Sequence, residues 1–180
     1  PGRSDAMAFL APTPTDPWYT AHNLSAERVG VAMPDEAIVL VAHKDSQSWI
    51  DSPGAYDNAV GSAAVMEIAR VLANHRPQRT VRYLFCNEEH WPWTSIVAAE
   101  NARRRGDRII GVINLDGLGG KSQADVAAGR RTGVTLYSTP EGKRLAELMA
   151  RANTRYDIGL EQRVQERPFI NDDDGSFVKA

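Results

Sequence analysis

Ala37-Ile-Val-Leu-Val-Ala-His-Lys-Asp45 decides the fold: an unbroken apolar run leads straight into an imidazole, an amine and a carboxylate. A short continuous apolar run is the pattern of a strand covered on both faces, which requires helices above and below a sheet of parallel strands. Thr80-Val-Arg-Tyr-Leu-Phe-Cys86 repeats the pattern apart from Arg82, and Ile109-Ile-Gly-Val-Ile-Asn-Leu115 and Gly133-Val-Thr-Leu-Tyr137 supply two more β-rich segments. Helical stretches alternate with them. Residues 59–74 place Val60, Ala64, Ile68, Val71 and Leu72 on one stripe, with Glu67 and Arg70 turned away. Thr94 to Arg105 runs into Gly106 with three arginines in its last turn, where cations suit the helix dipole. A third helix is expected over 140–152, with Thr139 as N-cap, Pro140 at the first position and Leu145, Leu148 and Met149 inward. Strand and helix in alternation predict an α/β fold, a three-layer sandwich whose mixed, mostly parallel central sheet lies between helical layers.

The chain has 180 residues, 42% hydrophobic and 24% charged, enough to bury one core and therefore one main domain. Its longest apolar runs fall far short of the roughly 20 residues of a membrane-spanning helix. Twenty-one basic against 23 acidic residues leave a net charge of −2, without the clustered basic surplus that nucleic-acid binding needs. No nucleic acid or membrane partner is expected. Cys86, the single cysteine, can form neither an intramolecular disulfide nor a thiolate cage. Residues 1–20, with Pro12, Pro14 and Pro17, read as an irregular lead-in, and 21–180 as the functional domain. Phe177-Val-Lys-Ala180 stops without turn or cap chemistry, so further chain is expected after it.

In parallel sheets ligands collect outside the carboxyl ends of the strands. The first strand delivers His43-Lys44-Asp45 there, the second Asn87-Glu88-Glu89 and the third Asn114-Leu115-Asp116, while a loop holding Asp57 leads into the first helix. One such acid has an ordinary explanation as a turn former or helix cap. Acids from three strand ends and a loop do not, because converging carboxylates repel and burying them unpaired costs several kcal/mol each. A bound metal cation resolves the conflict. His43 and Asp45, two apart, project to one face, so that Asp45 can orient the imidazole through its second nitrogen. Glu88 and Glu89 point in different directions, one to ligate and one to serve as general base. His22 and His75 are more readily read as loop and helix-end residues, and His90 as a rim or substrate contact.

These residues carry a family resemblance. His43-Lys-Asp-Ser46, Gly54-Ala-Tyr-Asp-Asn-Ala-Val-Gly61, Asn87-Glu-Glu89 and Asn114-Leu-Asp116, with a weaker stretch from Asp173 to Ala180, resemble the co-catalytic zinc exopeptidases of metallopeptidase family twenty-eight, which include leucyl aminopeptidases and glutamate carboxypeptidases. The resemblance implies two divalent metal ions, zinc by default. Asp57 would bridge them, His43 and Asp116 would complete the first site, Glu89 would belong to the second, and Glu88 would be the general base. It further implies a cis peptide bond between Asp57 and Asn58 and a peptide or aminoacyl substrate.

The chain departs from the family pattern in two places. The last ligand usually comes from a Ser-Asp-His segment three residues before a Phe, and counting back from Phe177 reaches Asp174. An aspartate there adds a negative charge where the family has a neutral ligand, which predicts weaker Lewis acidity or a harder ion such as manganese in the second site. Asp172 or Asp173 as ligand, or an empty second site, are the alternatives. After the Glu pair, His90-Trp91-Pro92-Trp93 replaces small and aliphatic residues, so the tryptophans form either a substrate wall or ordinary packing.

Other signals are weaker. Gly117-Leu-Gly-Gly-Lys-Ser122 fails as a phosphate loop because Leu115 stands where the first glycine is required, and Asn23-Leu24-Ser25 is a glycosylation triplet of the kind that arises by chance. Arg103, Arg104, Arg105, Arg130 and Arg131 read as solvated surface. The function expected is a metal-dependent aminopeptidase, since a substrate's free amine suits the surplus carboxylates. Its rivals are a non-catalytic relative serving as a binding module, which Asp174 favours and Glu88 opposes, and a single-metal relative that cyclises N-terminal glutamine.

Overall fold

The computed structural model describes residues 22–46, 53–87, 89 and 93–180. The expected lead-in over 1–20 lies outside them. Among the described residues the apolar run becomes the buried end of strand β2 (Met33–His43), flanked by β3 (Arg79–Cys86) on one side and β4 (Arg108–Asn114) on the other, both parallel to it. β1 (Leu24–Arg28) pairs antiparallel with β3, which gives a mixed sheet in the order β1-β3-β2-β4.

Alternation along β2 sorts the core into two layers. Val39 and Val41 join Leu84 and Cys86 on one face, packed against Ala98 of helix α2 (Thr94–Arg105) and Phe177 of α5 (Asp172–Lys179). Leu40 and Ala42 join Tyr83 on the other, beneath Val65, Ile68 and Ala69 of α1 (Val60–Val71). Helices therefore cover both faces, as the unbroken apolar pattern requires. α2 and α5 lock together through a buried contact of 2.8 Å between the Ser95 and Ser176 hydroxyls. Arg82, the odd charge in β3, is held by ion pairs to Glu27 and to Asp107.

Three details differ from expectation. On α1 the inward seam runs through Gly61, Val65, Ile68 and Ala69, and Val71 is 62% exposed. The stripe is rotated because Gly61, which carries no apolar side chain, is the residue at the closest approach. α4 (Pro140–Arg155) starts as expected, with Thr139 Oγ1 accepting the Gly142 N–H at 3.0 Å, but buries Ala146 and leaves Leu148 54% exposed. Finally β5 (Thr132–Tyr137) stands apart from the four-stranded sheet and pairs parallel with β6 (Glu161–Glu166), with α4 packed against the pair. A short helix, α3 (Gln123–Ala127), is capped by Ser122 and precedes β5.

Candidate metal centre

The parallel strands β2, β3 and β4 end side by side, and pairing continues past them through Lys44 N–H to Cys86 O and Leu115 N–H to Val41 O, both 2.8 Å. His43, Glu89 and Asp116 are thereby delivered to one edge. Asp57 arrives from the turn before α1, where the Asp57–Asn58 peptide bond is cis, as the resemblance implied. Asn58 is fully buried and fixes this turn: its Nδ2 donates to Leu115 O at 2.9 Å and its Oδ1 accepts the Gly61 N–H at 3.0 Å. Gly61 is obligatory here, since a Cβ on it would lie 2.0 Å from Leu115 O. Ser62 Oγ donates to His43 O at 2.9 Å, and Tyr56 lies over Gly117 and Gly120, tying the Asp57 turn to the loop after Asp116. The glycines that suggested a phosphate loop make room for a tyrosine.

His43 is almost wholly buried. Its Nδ1 is 3.3 Å from Asp45 Oδ1, and its Nε2 faces Asp57 Oδ1 at 3.0 Å and Asp116 Oδ1 at 3.4 Å. Neither Nε2 nor Asp116 Oδ1 has a partner of hydrogen-bond geometry among the described residues, although both are shut off from solvent. Two sets of donor atoms converge: His43, Asp57 and Asp116 form one, Glu89, Asp116 and Asp172 the other, and within each the atoms lie within 4.8 Å of one another. Asp116 is the member common to both, the position that the resemblance gives to Asp57. Imidazole and carboxylates at this spacing are the donor types and crowding that suit divalent cations.

The electrostatics of the metal-free groups match the crowding. Burial alone would depress the His43 imidazole, but Asp116 and Asp45 overcome it and lift its pKa to about 10. Glu89 is pushed up to about 7 by burial and by the charges of Asp172, Asp116 and Asp57, against the pull of His43. Protons thus occupy the neighbourhood when no cation does.

The three consecutive aspartates behave differently from one another. Asp174, expected by register with Phe177 to ligate, joins neither group; its Oδ2 accepts from Arg167 Nη2 at 2.8 Å. Asp172, at a left-handed φ of 72°, faces Glu89 and Asp116 instead. Asp173 is buried between the helices and is raised to about 7 by that burial. Register with Phe177 points to Asp174, with Asp172 and Asp173 as the alternatives; of the three it is Asp172, the left-handed residue at the head of α5, that lies within the second donor group. Asn114, quoted in the sequence only as part of a block, donates through Nδ2 to Asp172 Oδ1 at 2.6 Å. Glu88, His90 and Trp91 lie outside the described residues. Trp93 is partly buried at the head of α2, and His22 and His75 are exposed, away from both groups. Asn23 of the glycosylation triplet donates Nδ2 to Thr94 O at 2.7 Å and accepts the Asn87 N–H through Oδ1 at 3.3 Å.

The model of Peptidase family M28 matches residues 23–180. A probable zinc metalloprotease of Pyrenophora teres f. teres is 32% identical over 151 residues, covering 79% of this chain and 31% of its own. Among solved structures, the LapA aminopeptidase of Legionella pneumophila superposes with a TM-score of 0.69 at 20% identity, over 87% of this chain and 40% of that one. A glutaminyl cyclase from an Acidobacteriales bacterium gives 0.66 at 20% identity, over 88% and 55%. The chain spans about a third of the length of the curated relatives it matches.

Proposed function

The chain belongs to peptidase family M28, and on that premise we propose that it is a zinc-dependent exopeptidase, an aminopeptidase that hydrolyses the N-terminal peptide bond of its substrate. The observation that carries this reading is the convergence of His43, Asp57 and Asp116 beside Glu89 and Asp172, with buried donor atoms of His43 and Asp116 that have no hydrogen-bond partner among the described residues. The first group would hold one ion and the second group another. The zinc metalloproteases among the relatives favour that metal, while the all-carboxylate second group leaves manganese as a candidate there. The chemistry supplied by ions in these positions is polarisation of the scissile carbonyl and activation of a water nucleophile.

The chain's own residues do the rest. Asp45 holds His43 in the orientation that presents Nε2 to Asp57 and Asp116. Glu88, next to the ligand Glu89, takes the proton of the attacking water and passes it to the leaving amine. Carboxylates surplus to the ions' charge receive the substrate's ammonium group, which favours the amino end of a peptide over its carboxyl end.

Metal content measured by mass spectrometry, with amine release from a panel of aminoacyl anilides in the presence and absence of chelator, tests the reading. Two ions and chelator-sensitive cleavage are expected, with Glu88→Gln abolishing turnover and keeping the metal. One ion with cyclisation of N-terminal glutamine would replace the proposal by the cyclase reading, and metal-independent peptide binding without turnover would replace it by the binding module.

A further inference from the structure

Tyr56 stands between two of the segments that build the first donor group. It precedes Asp57 in the turn before α1, and its phenol end reaches across to the loop that follows Asp116. A Cβ on Gly120 would lie 2.5 Å from its Oη and 2.6 Å from its Cε2, and one on Gly117 would lie 3.1 Å from Oη. Gly117 also has a left-handed φ of 56°. The loop thus carries no side chain at the two positions where one would crowd the tyrosine. Yet the ring is not core: Tyr56 is 55% exposed, and Leu118, directly after Gly117, is 39% exposed. An apolar surface is therefore held open beside Asp57 and Asp116, and an apolar wall with a few convergent polar groups is the usual make-up of a ligand pocket.

The sheet order decides which part of a peptide lies there. β3 leads to Glu89, β2 ends in His43 and β4 leads to Asp116, with β2 between the other two. Strands in a sheet are about 4.8 Å apart, so the backbones leaving β3 and β4 stand roughly 10 Å from each other although their carboxylates converge. Glu88, adjacent to Glu89 in sequence, passes the proton to the leaving amine, which puts the leaving part of the substrate on the β3 side. The residue that bears the free amine then lies on the β4 side, against Tyr56.

We infer that Tyr56 is a specificity-determining residue: its ring is the wall against which the side chain of the substrate's N-terminal residue packs, favouring large apolar side chains over small ones. The inference rests on the aminopeptidase reading given above. An aromatic ring offers such a side chain both contact area and stacking geometry. That contact is the same before and during bond cleavage, so it acts on binding rather than on the chemical step.

The test uses the zinc-loaded intact chain as wild type, Tyr56→Ala, Tyr56→Phe and Gly120→Ala. Its readouts are kcat and KM for alanyl, leucyl and phenylalanyl anilides and for dipeptides varied at the second residue, and the dissociation constants of free alanine and phenylalanine by calorimetry. The wild type is expected to prefer the leucyl and phenylalanyl substrates. Tyr56→Ala should reduce that preference about tenfold, the lower end of what an apolar pocket contact contributes to discrimination, through KM rather than kcat. The gap between the two amino acids' dissociation constants should narrow with it. Tyr56→Phe keeps the ring and should keep the preference, whereas the added methyl of Gly120→Ala displaces the ring and should reduce it. Zinc content of each variant reports whether the donor groups are intact. An unchanged preference in Tyr56→Ala, with zinc and turnover retained, overturns the inference and leaves the aminopeptidase reading standing. So does a wild type that prefers alanyl substrates, or an effect that follows the second residue of the dipeptides instead of the first. Zinc lost from Tyr56→Ala assigns the ring to supporting the turn and overturns the inference too. A wild type that cleaves no anilide and binds neither amino acid removes the aminopeptidase reading itself, and the inference with it.

Discussion

Asp45 joins the two donor groups through Glu89: one of its oxygens accepts the Glu89 backbone N–H at 3.3 Å, and the other lies 3.3 Å from His43 Nδ1. A single carboxylate thus sets the orientation of an imidazole on β2 and the position of the backbone that follows β3. Outer partners of this kind commonly change metal affinity or activity by 10- to 100-fold when removed. Asp45→Asn is expected to weaken zinc binding by about that range, at both groups rather than one, because the amide no longer attracts His43 and shifts the Glu89 backbone. Chelator competition measures it, and a variant with wild-type zinc affinity would show that Asp45 is only a turn residue.

Gly61→Ala should be the most damaging single-methyl change near the site. The added Cβ meets Leu115 O at 2.0 Å and the Asn58 amide at 2.3 Å, and the first of these is backbone that cannot swing aside. Relief requires separating α1 from the end of β4, which breaks the Asn58 bonds and moves Asp57 away from Asp116. Overpacking of this kind costs about 1–3 kcal/mol. A lower urea midpoint, together with reduced zinc affinity, is the expected outcome; a wild-type midpoint would mean that the two segments can part freely.

The parts of this site that were legible in the sequence are those set by local pattern. Ala37–Ala42 announced a strand covered on both faces because every residue in the run is apolar, and its end placed His43 and Asp45 at once. The Gly54–Gly61 block was recognisable, and the structure supplies its physical content in the Asn58 bridge and the close approach at Gly61. Pairings between distant segments were not legible. β6 reads Glu-Gln-Arg-Val-Gln-Glu, with one apolar residue, and β1 reads Leu-Ser-Ala-Glu-Arg, whose alternation is too short and too weakly apolar to mark a strand; both form by pairing with a neighbour. The same holds for Arg167, whose partners among three adjacent aspartates depend on where β6 ends and on the left-handed turn at Asp172.

Cys86 sits at the end of β3, fully buried beneath α2 and α5. Burial pushes its thiol well above the ordinary range, and the charges of Asp173 and Asp45 push it further. Since the thiolate is the reactive form, the folded protein is expected to resist thiol reagents at pH 8 and to react with one equivalent at Cys86 after denaturation. Rapid labelling of the native chain would show that α2 and α5 open readily from the sheet, contrary to their packing.

Asp107 gives the fold a defined acid sensitivity away from the metal centre. Arg105 donates to it at 2.7 Å and Arg82 at 2.7 Å, and these bonds hold its carboxyl below the usual aspartate range despite partial burial. A carboxyl with a depressed folded-state pKa adds stability above its unfolded value, near 3.9 for an aspartate, and loses it as pH falls through the folded value. Asp107→Asn should therefore be less stable than wild type at neutral pH, by about 1 kcal/mol for a pair at the surface of the fold, since among the described residues Arg82 then keeps only Glu27. The gap should close as pH falls below about 4. Urea unfolding at neutral and acid pH measures both values, and a difference that stays constant with pH would mean that the loss at Asp107 is one of packing rather than of charge.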